Sequence, residues 1–462
     1  RLGEGEIDAA VRRILRLKFE LGLFEDPRGP DERRQAAVIG GPEHAKLNLD
    51  VARRSLVLLR NDGLLPLDPG GPTRTVAVLG PNAHDPAAQL GDWAGNSGQV
   101  DWMPDGQPRG MIETVLDGFR AVAPDGWQVT YARGAAIERL VPDPDGATYP
   151  DGQPRPPVSR PAPPDPGEIA AAVAVAEAAD VAVVVLGDTV ALTGESKSTA
   201  TLELQGGQVA LLDALAATGT PTVLVLVGSK PAVLPPSALA ANALIQAFNP
   251  GMRGGRAIAE LVLGLIEPSG RLPLSVPRHV GQQPVYYNQI RGQHGTRYAD
   301  LTQDPLFVFG EGLSYSTVTY ADPVIAEPSI PAGGTIRASV TLTNTGTRPA
   351  VETVQAYVSD LVTSVTWADR ELKAYRQVTV PAGQSVTVDI EVPAAACTLV
   401  TADGRRVVEP GEFALLVGPN SRDLRSAGFR IGEPAGGSAD GGVTRVSALE
   451  WTPTSASPKG AP

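Results

Sequence analysis

The sequence predicts an α/β domain built on a parallel sheet, followed by an antiparallel β-sandwich. Three observations predict it. Up to about residue 320, short apolar β-branched runs alternate with segments of helical periodicity, as in strands joined by crossover helices. Beyond about Asp322 the helical periodicity stops and apolar residues recur at every second position. Turn residues such as Asn344-Thr-Gly346 separate those alternating runs.

The elements follow in order. Residues 6–21 predict an amphipathic helix, with Ile7, Val11, Ile14 and Leu21 on one face and Gly22 as a C-cap. A helix this short needs a partner to bury that face. Asp26 to Pro42 is polar and rich in Pro and Gly, and reads as a linker. A second helix is expected over roughly 43–60, carrying Leu49, Ala52, Leu56 and Leu59. Strands are expected at 75–79, 128–131, 181–187, 222–227 and 243–248, and helices at 111–123, 167–179, 206–217 and 254–265. Residues 141–167 are crowded with Pro, Asp and Gly and read as a surface insertion. In the second half, Ile336/Ala338/Val340/Leu342, Val354/Ala356/Val358, Val386/Val388/Ile390 and Phe413/Leu415/Val417 alternate with polar positions. That pattern predicts a sandwich of immunoglobulin or fibronectin type. From about Glu433 the chain is rich in Gly, Ser, Ala and Pro and reads as a flexible tail.

Composition narrows the function. The chain has 462 residues, 39 Lys plus Arg against 51 Asp plus Glu, and a net charge of −12. No basic block stands out, so neither nucleic acid nor an anionic membrane is an expected partner. No apolar run approaches the ~20 residues of a membrane span. The four histidines, His44, His84, His279 and His294, lack ligand spacing, so no metal site is expected. Cys397 is the only cysteine, which rules out an intrachain disulfide. The chain begins at Arg1 without a Met, which leaves its location open between cytoplasm and export.

One carboxyl stands out. Glu195, in Thr193-Gly-Glu-Ser196, follows the strand run Val181-Ala-Val-Val-Val-Leu-Gly187 and precedes a helix. Open α/β sheets bind ligands in the loops beyond the carboxyl ends of their strands. A loop glutamate is ordinarily solvated. A partly desolvated one, projecting into a cleft, can act as an acid. The residues alone leave both open. No Gly-x4-Gly-Lys-Ser/Thr loop and no Gly-x-Ser-x-Gly elbow occurs. Gly251-Met-Arg-Gly-Gly255 precedes a helix and could hold an anion, but close backbone packing is the expectation there.

The ordered set of segments is more specific than any one of them. Val11-Arg-Arg-Ile-Leu-Arg-Leu-Lys-Phe-Glu-Leu-Gly-Leu-Phe24 resembles the closing helix of the barrel in glycoside hydrolase family 3. Ala52-Arg-Arg-Ser-Leu-Val-Leu-Leu-Arg-Asn-Asp62, Leu64-Leu-Pro-Leu67, Val76-Ala-Val-Leu-Gly-Pro-Asn82 and Leu90-Gly-Asp-Trp-Ala-Gly95 resemble, in the same order, the start of that family's second domain. Pro268-Ser-Gly-Arg-Leu-Pro-Leu-Ser-Val-Pro277, Val280-Gly-Gln-Gln-Pro-Val-Tyr-Tyr-Asn288 and Phe309-Gly-Glu-Gly-Leu-Ser-Tyr315 resemble its end. Asn344-Thr-Gly346, Val354-Gln-Ala-Tyr-Val-Ser-Asp360 and Arg370-Glu-Leu-Lys373 are similar to its fibronectin type III-like domain. The resemblance spans about residues 1–432 and is strongest to the bacterial β-glucosidase branch.

The resemblance implies a retaining glycosidase in which Glu195, in Gly194-Glu-Ser-Lys-Ser198, is the general acid/base. Partial burial and a nearby nucleophile's charge would raise its pKa. Thr199 and Gln205 depart from the Arg and Pro that many relatives carry, and so remove two expected anchors of that loop. Glu203 lies close, but the Thr-Leu-Glu-Leu alternation puts it on a solvated face. Trp93 is the second candidate. An indole face can stack on a sugar's C–H face, and a loop Trp can equally pack between domains. Tyr286, Tyr287, Arg297 and Tyr298 read as architectural.

The implied organisation is the last helix of a (β/α)8 barrel at 1–26, a linker at 27–47, an α/β sandwich at 48–320, a fibronectin type III-like domain at 321–432 and a tail at 433–462. The implied substrate is a β-linked oligosaccharide or glycoside, with glucose and xylose both open. No cofactor is implied. The family's nucleophile is an Asp on the barrel, so the missing barrel is an expected partner and the chain alone is expected to be inactive. A homodimer is possible. The alternative is a non-catalytic carbohydrate-binding or interaction module.

Overall fold

Runs of Val, Leu and Ile that are apolar on both faces pair only where helices cover both sides of a sheet. That is their arrangement here. The computed structural model describes residues 3–94, 109–194, 197–292 and 297–432. The chain divides into two compact units, residues 1–51 and 52–462.

The first unit contains α1 (Glu4–Glu20), α2 (Glu32–Val38) and most of α3 (Pro42–Ser55). No residue of α1 is buried, and Ile7, Val11, Ile14 and Phe19 are all exposed. Two expectations are corrected here. The segment read as a linker contains α2, which Asp31 caps by accepting from the Arg34 amide at 2.9 Å. The helix expected to run to residue 60 stops at Ser55. Val57–Asn61 is instead a strand, β1, buried at Val57, Leu58 and Leu59. Leu56, Leu58 and Leu59 fit a helical stripe as well as a buried strand, and the sheet edge decides between them.

The second unit is built on one six-stranded sheet of β1, β2 (Thr75–Leu79), β3 (Gln128–Ala132), β6 (Val181–Gly187), β7 (Thr222–Val227) and β8 (Ala243–Phe248). The order is β1-β8-β7-β6-β2-β3. All neighbours are parallel except β1, which runs antiparallel to β8 at the edge. Every residue of β6 and β7 is buried. The covering helices are α4 (Pro86–Leu90), α5 (Val115–Val122), α6 (Pro166–Glu177), α7 (Gln208–Ala216), α8 (Pro236–Ala240) and α9 (Gly254–Val262). Leu79, Val184, Leu211, Leu215 and Leu224 share one core. The insertion holds a short hairpin of β4 (Glu138–Val141) and β5 (Val158–Pro161). Gly255 confirms the packing reading of its motif. A Cβ there would lie 2.0 Å from the Thr114 carbonyl oxygen, so only glycine lets α9 approach α5.

From Val318 onward all strands but one pair are antiparallel. Thr335–Asn344 pairs with Ser385–Pro393, while Ala350–Asp360 lies between Glu371–Val380 and Gly411–Gly418. The alternating residues are the core: Ile336, Val340, Leu342, Val354, Val388, Phe413 and Leu415 are all buried. A polar seam ties the sandwich to the α/β domain. Arg271 and Glu352 meet at 2.9 Å with side chains 8% and 5% exposed, and the Tyr320 hydroxyl donates to Glu352 at 2.7 Å. Such a buried pair demands its extra hydrogen bonds, and Tyr320 supplies one. Tyr287 belongs to the same architecture, stacked on Phe309 at 4.3 Å and accepting from the Leu372 amide at 3.0 Å.

Candidate active site

Strand order locates the cleft. From β2 the chain moves outward to β3, whereas β6, β7 and β8 proceed the other way, so the topological switch lies between β2 and β6. Ligand sites of open α/β sheets form at that crevice, beyond the carboxyl ends of the strands. The two loops leaving it are 80–94 after β2 and 188–204 after β6. Trp93 stands on the first. Glu195 belongs to the second and lies outside the described residues, as does the tail from residue 433.

The two loops touch. Asn82, 2% exposed, donates from Nδ2 to the Asp188 carbonyl at 2.7 Å. Further out, Gly194 lies against the Asp92 side chain: a Cβ on Gly194 would sit 1.9 Å from Asp92 Oδ2. Gly194 also has φ +89°, a conformation other residues avoid. The structure thus joins the residue before Trp93 to the residue before Glu195. Trp93 itself is 68% exposed with φ +59°. Its indole is therefore exposed in this unit.

The loop after β6 has anchors other than the Arg and Pro it lacks. Thr199 Oγ1 donates to the Thr201 carbonyl at 2.9 Å and accepts from Lys230 Nζ at 2.6 Å. Gln205 bonds the Glu203 carbonyl at 2.7 Å. Gln208, fully buried, holds the end of β6 by accepting from the Gly187 amide at 2.7 Å and donating to the Gly187 carbonyl at 2.9 Å. Glu203 is exposed, as the alternation predicts.

Three polar side chains at this edge were not singled out from the sequence. Burial pushes the Asp188 carboxyl above its ordinary value, and the Lys230 ammonium pulls it partly back. Glu138 accepts from Thr189 Oγ1 at 3.3 Å, and its other oxygen is buried without a partner among the described residues. A signal for the first two exists: Gly187-Asp188 and Gly228-Ser-Lys230 repeat the strand-Gly-polar pattern of Gly80-Pro-Asn82. Nothing comparable marks Glu138. Among the described residues no group of His, Cys, Asp and Glu could hold a metal ion. No helix among them is long and apolar enough to cross a membrane.

A parallel sheet with two loops meeting at its switch point, followed by a fibronectin-type sandwich, defines a two-domain α/β protein, and comparison gives the family. Residues 56–315 match the glycosyl hydrolase family 3 C-terminal domain, and residues 352–421 match the fibronectin type III-like domain. The chain belongs to glycosyl hydrolase family 3. It is 33% identical to a periplasmic β-glucosidase of Salmonella typhimurium and 33% identical to a β-xylosidase of Formosa agariphila, over 92% of this chain in each case. It spans 55% of the length of each of these relatives. A solved structure of a β-glucosidase involved in saponin metabolism from intestinal bacteria superposes with a TM-score of 0.90 at 55% identity, covering 93% of this chain and 60% of that one.

Proposed function

We propose that this chain supplies the acid/base half of a retaining β-glycosidase that removes terminal non-reducing β-D-glycosyl residues. Glu195 is the general acid/base and Trp93 stacks against the sugar beyond the scissile bond. The observation that carries the reading is the contact of Asp92 with Gly194 at the switch point, because each is chain neighbour to one of the two residues.

In the first step protonated Glu195 gives its proton to the glycosidic oxygen while an Asp outside this chain attacks the anomeric carbon. The C–O bond breaks with its electron pair on the leaving alcohol. In the second step Glu195 takes a proton from water, which displaces the Asp and restores both groups. The Asp belongs to a barrel domain, and relatives nearly twice as long as this chain leave room for one. Residues 1–26 are that barrel's closing helix, and the exposed apolar residues of α1 are what such a helix would dock. Residues 27–47 then connect it to the α/β domain. A curated β-glucosidase and a curated β-xylosidase are each 33% identical to this chain, and in this reading the barrel supplies the residues that select the sugar.

The test is Glu195→Ala in the barrel-bearing protein. Turnover of an alkyl β-glucoside, whose leaving group needs the proton, should fall by about 10²–10⁴-fold. Dinitrophenolate leaves without a proton, so kcat/KM for its release should fall far less, and azide should restore steady-state turnover by yielding a glycosyl azide. Equal losses on both substrates, with no azide rescue, would overturn the assignment.

A further inference from the structure

A second cavity lies at the seam between the α/β domain and the sandwich. Its volume is about 470 Å³, within the range of roughly 300–1,000 Å³ typical of small-molecule sites. None of its lining residues belongs to loops 80–94 or 188–204.

Its chemistry is specific. Tyr286 offers a ring that is 49% exposed, beside the apolar side chain of Val285. Among the described residues, Gln289 Oε1 is buried and without a hydrogen-bond partner. An unmet acceptor of this kind costs stability unless something donates to it. Arg422 is exposed and acts on Glu311 through its charge. Arg370, in contrast, is neutralised by Asp369 at 2.7 Å and held by the Ser421 carbonyl at 3.0 Å. Asp304 adds one negative charge to the lining, alongside the positive charge of Arg422.

A ligand for this cavity must donate to Gln289, accept from Arg422, carry no large net charge and present an apolar face to Tyr286. An anion such as phosphate is opposed by Asp304 and gives Gln289 little to accept. An apolar ligand leaves Gln289 unmet. A pyranose satisfies all four demands, because each hydroxyl both donates and accepts and one ring face is lined by C–H groups. The walls are also set in advance. Gln282 donates to the Thr302 carbonyl at 2.8 Å, fixing the 302–305 segment, and the Tyr287–Phe309 stack backs the 286–289 segment.

We propose that this interdomain cavity is an ancillary saccharide-binding site for one or two sugar rings. It goes beyond the reading of Glu195, and its fate is independent of it.

The experiment is a calorimetric titration of the 462-residue chain with glucose, cellobiose, laminaribiose and xylobiose. At least one sugar should bind, at roughly millimolar strength, equivalent to about −4 kcal/mol. Tyr286→Ala and Arg422→Ala should each weaken that binding by about tenfold, one lost stacking or charged contact. Tyr286→Phe, which keeps the ring, should retain it. Melting curves of the variants should match the parent, since both side chains are solvent-facing. Absence of binding by all four sugars overturns the proposal. So does binding that survives Tyr286→Ala and Arg422→Ala.

Discussion

Replacing Gly194 by Ala puts a methyl group where the Asp92 carboxylate already is. The added Cβ would lie 1.9 Å from Asp92 Oδ2, 2.4 Å from its Cγ and 3.1 Å from its Cβ. An ordinary C···O contact is about 3.4 Å, so the loops must separate by about 1.5 Å. The φ of +89° adds strain of about 1–2 kcal/mol for any residue with a Cβ. A displacement of about 1 Å next to a catalytic group costs on the order of 10²-fold in rate. Gly194→Ala in the barrel-bearing enzyme should therefore lower kcat/KM for an alkyl β-glucoside by about 10²-fold, or about 2.7 kcal/mol. In an Asp92→Ala background the oxygen and Cγ are gone and chiefly the φ strain remains. There the same substitution should cost about tenfold or less. The assay is kcat/KM for the parent, both single variants and the double variant, with melting curves to exclude global unfolding. Wild-type kcat/KM in Gly194→Ala, or strictly additive penalties in the double variant, would refute the reasoning that this contact aims the loop.

Two further predictions concern stability. Glu260 is 4% exposed and receives Arg53 at 2.6 and 2.9 Å and Arg256 at 3.0 Å. Burial alone would raise its carboxyl, but the hydrogen bonds from the two arginines outweigh that and hold it below its ordinary value. Arg53→Ala should cost about 2 kcal/mol at neutral pH, less than a fully buried pair because Arg256 remains and Arg53 is partly exposed. A depressed carboxylate stabilises above its unfolded pKa and stops doing so as pH falls through the folded value, so the deficit in urea midpoint should shrink in acid. Asp360 behaves oppositely. Burial pushes its carboxyl up to about 6, with Glu409 adding to the rise. Its contribution is fully present below the unfolded value of 3.8 and is lost as pH rises through about 6. Asp360→Asn should therefore stabilise the sandwich above pH 6, by about 1 kcal/mol after allowance for its partial exposure, and have no stabilising effect near pH 4. A pH series of melting curves checks it.

The strands of the sheet were legible because nothing competes with their signal. Val181–Gly187 and Thr222–Val227 are apolar on both faces, and only a doubly covered strand has that composition. The sandwich was legible for the complementary reason, since Ile336, Val340 and Leu342 mark one face by alternation. The stretch 56–61 was misread because four apolar residues in six satisfy either period. Its strand identity comes from pairing with β8, a contact nearly two hundred residues away. The helix at 32–38 was hidden by the Pro and Gly around it. At the cleft, the sequence pointed to Trp93 and Glu195 through a family resemblance rather than through local pattern. Asp188 and Lys230 carry the strand-Gly-polar pattern singly, but no local rule connects a residue after one strand with a residue after the next. Only strand order makes them neighbours of the same loop.

The central claim is that the acid/base belongs to this chain and the nucleophile does not. It is tested most directly by incubating the Glu195→Gln variant of the barrel-bearing protein with dinitrophenyl β-glucoside and mapping the label by mass spectrometry. Without its base the second step slows, so a glycosyl-enzyme should accumulate, with the sugar esterified to an Asp outside residues 1–462. A label on a carboxylate of this chain, such as Asp188 or Glu138, or no accumulation at all, would contradict the account.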